Sequence, residues 1–567
     1  LLIKYIRLSK RENYNDINVN YKISLSLLLT SALLFLLATI TFQASFRKSK
    51  LPVGSTVSTY AVQNYGVYPF YAANIFGVDF DITSRKSLEI TNDEDLFEAY
   101  NKYNKNKSSY INIIDNNTYS NLLKYEPSEN LYIENLNEGD PVNGIFKDKN
   151  LVLVHMESIN NFLLEIEETN SRMKFINAIL EESYVFNNYY TSVGMGVSAD
   201  AELSVLTGLY MNGYSTLYWD YNNRKFDFDT IPKLFNKQNY ITLGIHGDHE
   251  KFYNRDIAYP EFLEFSEPYQ SLDKFASDAN MTTSDYVNFL MTEGLQGHIS
   301  PWVSDLELSE FVVEKLNEYE EDNEKSFIFN VHTMPHTPFQ FNPYSNVARP
   351  EYDKWNNKIS NLTRNYIDYV DYVDETIERL FIDSDGNSRI DENTVYIFYG
   401  DHGSSLKNGD LSVLYDRNLN LLEERQILQQ VAAFIYAPSS EEVTVNGYKI
   451  NKGLVKGSQN LVRSHIDLYR TIVDLFDLVD ETNFYFGVNG LSNEPTFVID
   501  NRIQDLIADD PTTNDNYIVS LRNAKNHFPL NQEINLELLD EIIYFKKLSD
   551  LLLNDPEIYQ TIKRFLV

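Results

Sequence analysis

Read from its amino terminus, the chain shows one unbroken apolar block and then, after a polar stretch, a regular alternation. Ile23 to Phe42 is a block of twenty residues without a charge, set between Lys22 and the cluster Arg47, Lys48 and Lys50. About twenty apolar residues cross a bilayer core as a helix. The block is therefore expected to be a retained span rather than a signal peptide, whose apolar region is shorter and ends at a small-residue cleavage site. Lys4, Arg7, Lys10, Arg11 and Lys22 precede it, against three basic residues after it. That excess places the amino-terminal side in the cytoplasm and the long remainder outside the cell. The chain opens on Leu1 rather than Met, which reads as the tail of a longer protein with further spans upstream.

From about residue 148, short apolar runs rich in β-branched residues alternate with helical patterns. Strands are predicted at Leu151–His155, Tyr240–Ile245, Phe327–Val331, Thr394–Tyr399 and Val431–Tyr436. Helices are predicted at Arg172–Glu182, Glu202–Leu209, Ile231–Lys237, Leu308–Glu318, Trp355–Phe381 and His465–Leu478. The alternation predicts an α/β fold with a mainly parallel sheet flanked by helices. The expected organisation is a cytoplasmic segment and transmembrane helix (1–50, span 23–42), a connecting arm (51–147), a catalytic domain (148–500) and a carboxy-terminal helical tail (501–567). In that tail, polar loops precede the amphipathic stretch Ile534–Leu553.

Composition narrows the function. Hydrophobic residues make up 43% of the chain, enough for a large core. There is no cysteine, which removes disulfides, thiolate metal sites and cysteine nucleophiles. The formal net charge of -34 argues against nucleic acid as a partner, because duplex binding needs cations to replace counterions. The same charge repels anionic substrates at long range, so a phosphate site would need its own metal, Arg and His.

Several polar residues fall just past predicted strand ends, where ligands gather in open α/β sheets. Glu157 ends Leu151-Val-Leu-Val-His-Met-Glu157, and Asp401 and His402 follow Thr394-Val-Tyr-Ile-Phe-Tyr-Gly400. Ser198 lies in Gly194-Met-Gly196-Val-Ser198-Ala-Asp200, a glycine turn running into a helix start. One Glu, one Asp, one His and one hydroxyl form an oxygen-rich set suited to Mn, Mg or Zn. A cation beside Ser198 would make it a nucleophile for phosphoryl transfer. Taken alone, a serine at a helix start is more often a cap. His246, Asp248, Tyr253 and Arg255 share one dense polar segment that reads equally as a phosphate and polyol site or as a charged surface loop. His336, in His332-Thr-Met-Pro-His336-Thr-Pro338, is positioned by prolines and is a candidate to protonate a leaving alkoxide. There is no Gly-x-x-x-x-Gly-Lys-Ser/Thr loop, no His-Glu-x-x-His and no Gly-x-Ser-x-Gly.

Taken in order, Met-Glu157-Ser, Gly-Val-Ser198-Ala-Asp-Ala-Glu, His246-Gly-Asp through Phe-Tyr-Asn-Arg255, Pro-His336-Thr-Pro-Phe and Tyr-Gly-Asp401-His402-Gly resemble the lipoteichoic acid synthases. These belong to the sulfatase-like branch of the alkaline phosphatase superfamily. The resemblance runs from about residue 60 to 495 and includes Ser464-His-Ile-Asp467 and Phe486-Gly. It implies a membrane anchor with an extracellular catalytic domain, and Mn held by Glu157, Ser198, Asp401 and His402. It implies glycerophosphate contacts from His246, Asp248, Tyr253, Arg255 and His336. The donor would be phosphatidylglycerol, and the acceptor a glycolipid or a polyglycerophosphate chain. Two positions depart from the family, which usually has Thr where Ser198 stands and often Trp where Tyr253 stands. The alternatives are a phosphoethanolamine transferase, a phosphodiesterase or sulfatase-like hydrolase, and a surface protein whose site has decayed. Ser198-Ala-Asp-Ala-Glu lacks the Pro and Arg that signal formylglycine formation, which speaks against sulfate ester hydrolysis.

Overall fold

The computed structural model describes residues 28–34, 94–95, 97–99, 131–133, 142–194, 196–211, 216–221, 225–295, 297–479, 486–494, 496–501, 504–509, 516–521, 527–528, 542, 546, 548–553 and 555–566. The chain divides into two compact units, Leu1–Ile82 and Thr83–Val567. In the first, only residues 28–34 are described; they are helical and exposed. The rest of the expected span 23–42 lies outside the described residues. Among the described residues, no helix is long and apolar enough to cross a membrane.

In the second unit, four predicted strands form one half of an eight-stranded sheet, with Tyr240–His246 at its edge. Thr394–Gly400, Asn150–Met156, Lys325–Val331 and Tyr240–His246 lie side by side and parallel. Their near-continuous burial is what a strand covered on both faces requires. Alternate side chains serve opposite layers. Val152, Val154, Ile328 and Phe398 join a core built with helices Lys174–Leu180, Asp305–Glu321 and Val370–Glu378. On the other face, Phe327 stacks on Phe235 of helix Ile231–Lys237 at 5.0 Å, and Tyr399 meets His465 of helix His465–Leu475 at 5.6 Å. Each large apolar side chain hidden this way contributes roughly 2 kcal/mol.

Three predictions differ from the structure. The fifth strand, Ala433–Tyr436, runs antiparallel to Thr394–Gly400, so the sheet is mixed, with one parallel half; apolar runs report burial, not direction. The long predicted helix Trp355–Phe381 is broken into a 3-10 turn Pro350–Trp355 and helices Asn361–Ile367 and Val370–Glu378. The chain restarts at Ser360, whose side chain accepts from the Thr363 N–H, a capping preference stronger than the helical periodicity around it. Finally, Phe497–Asp500, Asp505–Asp509, Asn516–Ser520 and His527–Phe528 form a four-stranded antiparallel sheet where polar loops were expected. These strands are short and separated by polar, Asn- and Asp-containing sequence, which hid them. Of the amphipathic stretch Ile534–Leu553, residues 548–553 are helical and most of the remainder lies outside the described residues. A further helix spans Pro556–Leu566.

Candidate metal centre and nucleophile

The parallel strands end in register. Met156 pairs with Gly400, and His155 and His246 both pair with Val331. One sheet edge therefore releases Glu157, Gly247, His332 and Asp401 together. Glu157, Asp401 and His402 converge there, each offering a ligand atom within 4.8 Å of the others. A Cβ at Gly403 would fall on the Leu428 carbonyl, so the chain passes that point only as glycine and turns His402 back toward the cluster.

Asp401 is fully buried. Its Oδ1 accepts from the backbone N–H groups of Ser158 and His402, both at 2.7 Å. Its Oδ2 lies 3.2 Å from His155 Nε2 and 3.3 Å from His402 Nε2. By distance the His155 contact is an ion pair, but neither atom completes a hydrogen bond, and the angle is the better guide. Glu157 Oε1 accepts from the Ser158 hydroxyl at 2.7 Å and lies 3.5 Å from His402 Nε2.

The protonation pattern follows from this crowding. Burial, then the charge of Asp401, pushes Glu157 well above the usual carboxylate range, with the Ser158 and Ser198 hydroxyls opposing. Burial also acts to raise Asp401, but His402, His155 and the Ser158 N–H outweigh it and hold it below its ordinary value. His402 Nδ1 stands 3.1 Å from the Gly403 carbonyl. A carbonyl only accepts, so Nδ1 carries a hydrogen and Nε2 is the ring atom turned to the two carboxylates. Two carboxylates and an imidazole nitrogen facing one point, with a buried Asp401 oxygen lacking a hydrogen bond, fit a divalent cation. The donor set is hard to borderline.

Ser198 lies on the rim of this cluster, its Oγ donating to Glu157 Oε2 at 3.3 Å. It is the first residue of helix Ser198–Thr207, and Val197 is the N-cap, with no side-chain capping bond. The capping reading of Ser198 therefore fails, and the helix starts four residues before its predicted position. Val197 has φ 44°, a left-handed backbone costly for a β-branched residue and typical of functional turns. Asp200 holds the turn from inside: its Oδ2 accepts from the N–H groups of Gly194 and Gly196 at 2.9 and 3.0 Å. A side chain at Gly196 would collide with that carboxyl. Burial pushes Asp200 up to about 7, against those two N–H bonds.

One turn further, Glu202 is completely buried and gathers four donors. Tyr218 and Tyr259 hydroxyls donate to its Oε2 at 3.0 and 2.8 Å, Arg255 Nε at 3.3 Å, and Arg255 Nη2 to its Oε1. Burial acts to lower Arg255, but Glu202 carries it above its ordinary range. The guanidinium that the sequence offered as a phosphate clamp is thus 1% exposed and paired within the protein.

His246 ends strand Tyr240–His246, and Asp248, Tyr253 and His336 lie in segments that follow strand ends. His246 is buried, and its Nδ1 accepts from the Asp248 N–H at 3.3 Å, which leaves the hydrogen on Nε2. Burial, then Arg255, lowers its pKa well below the ordinary value. Asp248 Oδ1 accepts from the His249 N–H. The Tyr253 hydroxyl is pushed up to about 12 by burial, against the opposing charge of Arg255. His336 is exposed, with Nδ1 on the Thr337 carbonyl at 2.7 Å and its ring 5.8 Å from Trp302. A cleft of about 900 Å³ lined by Arg172, Asp371, Glu375 and Arg379 contains none of these residues; its charges pair with one another.

Sequence reasoning passed over His155 and Glu202. His155 Nδ1 lies 2.8 Å from the Tyr399 hydroxyl, so the ring bridges that tyrosine and Asp401. Its signal was its place next to last on strand Asn150–Met156, two residues before Glu157.

A sulfatase family model matches residues 149–478, more than half of the chain. The chain belongs to the sulfatase family. Its curated relatives are lipoteichoic acid synthases, as the motif order implied. The lipoteichoic acid synthase-like YvgJ of Bacillus subtilis is 25% identical over 262 residues, 46% of this chain and 37% of that protein. Lipoteichoic acid synthase 1 of Bacillus subtilis is 21% identical over 440 residues, covering 73% and 61%. The Staphylococcus aureus lipoteichoic acid synthase is 23% identical over 379 residues, covering 65% and 51%. The chain thus spans between 37% and 61% of the length of these relatives. Among solved structures, the lipoteichoic acid synthase LtaP of Listeria monocytogenes aligns with TM-score 0.55 and 21% identity, over 75% of this chain and 96% of that one. An alkaline phosphatase superfamily protein of Vibrio parahaemolyticus aligns with TM-score 0.51 and 15% identity, over 82% and 98%. These likenesses show the fold, an α/β sulfatase fold with a mixed, largely parallel sheet.

Proposed function

We propose that this chain is a divalent-metal-dependent phosphoglycerol transferase, anchored in the cell membrane through 23–42 with its catalytic unit outside. It moves glycerophosphate from phosphatidylglycerol to a glycolipid or polyglycerophosphate acceptor. The observation that carries this reading is Ser198 Oγ, 3.3 Å from Glu157 Oε2 beside a cluster with surplus negative charge. Glu157, Asp401, His402 and Ser198 would hold one cation, most simply Mn2+. When bound, it supplies Lewis acidity that favours the serine alkoxide and spreads charge on the phosphoryl oxygens.

The chain's own residues then divide the work. Ser198 Oγ attacks phosphorus, forming an O–P bond as the bond to the diacylglycerol oxygen breaks. The serine hydrogen passes to solvent as the oxygen becomes a nucleophile, and His336, its Nδ1 fixed on Thr337, delivers its own proton to the departing oxygen, so the alcohol leaves neutral. The acceptor hydroxyl later attacks the glycerophospho-serine and the proton moves in reverse. His246 Nε2–H, Asp248 and Tyr253 orient the headgroup. Arg255, with Nε and Nη2 on Glu202 and Nη1 on the Phe252 carbonyl, contributes a fixed positive charge beside the headgroup. Neutral His246 donates a hydrogen bond without adding charge.

The test is Ser198→Ala with headgroup-labelled phosphatidylglycerol. Diacylglycerol release should fall by about three orders of magnitude or more, with metal content retained. Unchanged release would end this reading. Transfer to water alone would point to a phosphodiesterase of the same fold.

A further inference from the structure

Three aromatic rings stand in a row beside the site. Trp219 is 56% exposed and Phe252 47% exposed. Tyr253 lies between them, 5.5 Å from Trp219 and 4.6 Å from Phe252. Tyr253 is half-buried, and clustered exposed aromatics such as Trp219 and Phe252 mark an interaction surface.

The rings are held in place. Tyr253 and Asn254 have φ of 55° and 63°, two consecutive left-handed residues that turn the loop outward. Asn254 Nδ2 donates to the Tyr218 carbonyl at 3.0 Å, tying the two aromatic segments together. Tyr218 and Arg255 then both end on Glu202, one helical turn from Ser198. The row is fixed to the helix that carries the nucleophile.

A phospholipid carries its phosphorus only a few bonds from its acyl esters. A side chain that reaches that phosphorus therefore brings the protein surface around it to the ester zone of the leaflet. A net charge of -34 gives no attraction to an anionic leaflet, so contact must come from apolar and aromatic area. Trp and Tyr favour that interfacial zone, and Phe252 has no polar atom to offer a polyol. We infer that Trp219, Phe252 and Tyr253 form a ledge that enters the ester zone of a phosphatidylglycerol-containing leaflet as the donor lipid is engaged. This rests on the phospholipid-donor reading above.

The test uses the full chain reconstituted in phosphatidylglycerol vesicles doped with lipid brominated on its acyl chains. The Trp219 share of the emission, taken as the difference from Trp219→Phe, should fall by about twofold or more and be shielded from aqueous iodide. A Trp219 signal quenched by iodide and untouched by bromolipid overturns the ledge. In parallel, Trp219→Ser with Phe252→Ser should slow diacylglycerol release from vesicles by about tenfold while changing release from a short-chain, water-soluble phosphatidylglycerol by less than about twofold. Equal loss on both substrates, or no loss on vesicles, also overturns it. If the wild-type protein releases diacylglycerol from neither substrate, the donor reading fails, and the quenching result still judges the ledge.

Discussion

Two buried carboxylate clusters lie one helical turn apart around Ser198, and they are neutralised differently. Glu202 has its cation within the chain: Arg255, with two tyrosine hydroxyls completing its hydrogen bonds. Glu157 and Asp401 have only His402 and His155 near them. Their repulsion is relieved by a proton on Glu157. The first cluster is closed and holds structure; the second is open and waits for charge. A buried acid whose cation comes from the chain is a joint in the scaffold, and one without it is a site.

Removing one acid from each cluster should separate them most strongly. Glu202→Gln leaves Arg255 buried without its counter-charge and should cost about 3–5 kcal/mol of stability. Glu157→Gln, in protein stripped of metal, replaces an already neutral carboxyl and should cost less than about 1 kcal/mol. Urea denaturation of both variants checks this, and equal losses would erase the distinction. Next in size, Mn2+ at about a hundred times its dissociation constant should stabilise the wild-type protein by roughly 2.7 kcal/mol. The same addition should leave Asp401→Asn unmoved in a thermal-shift series. His155→Gln keeps the volume but loses the ring that faces Asp401 Oδ2, and should weaken metal binding about 10- to 100-fold by calorimetry.

The smallest effect concerns pH. His465 donates from Nε2 to the Gly400 carbonyl at 3.0 Å and is lowered by burial to about 4. Its unfolded-state pKa is about 6.5, so between those values the unfolded chain binds the extra proton. Stability is lost as pH falls through that window, by about 1.4 kcal/mol per pH unit from this group alone. Buried acids such as Asp374, raised to about 7 by burial, act in the opposite direction. The readout is therefore the difference between wild type and His465→Gln, whose acid slope should be shallower.

The parallel half of the sheet was legible because each strand is an apolar run buried on both faces, such as Leu151–Val154, ending in a polar residue at one edge. The convergence of Glu157, Asp401 and His402 was legible for the same reason: Glu157 and Asp401 mark neighbouring strand ends. Ser198 was ambiguous until the structure put Val197 in the cap position. Arg255 shows the limit from the other side. A guanidinium in a polar loop looks free in sequence, and its partner is a glutamate 53 residues away that only the fold brings near. The antiparallel direction of Ala433–Tyr436 and the sheet from Phe497 were hidden because pairing between strands leaves no local periodicity.

The most direct test of the account is to trap the serine in the act. The metal-loaded protein, mixed with phosphatidylglycerol and quenched before the acceptor is added, should carry a glycerophosphoryl group on the peptide containing Ser198 by mass spectrometry. That adduct should vanish when Asp401 is changed to Asn. Turnover with no adduct on Ser198, or with an adduct on another residue, would contradict it.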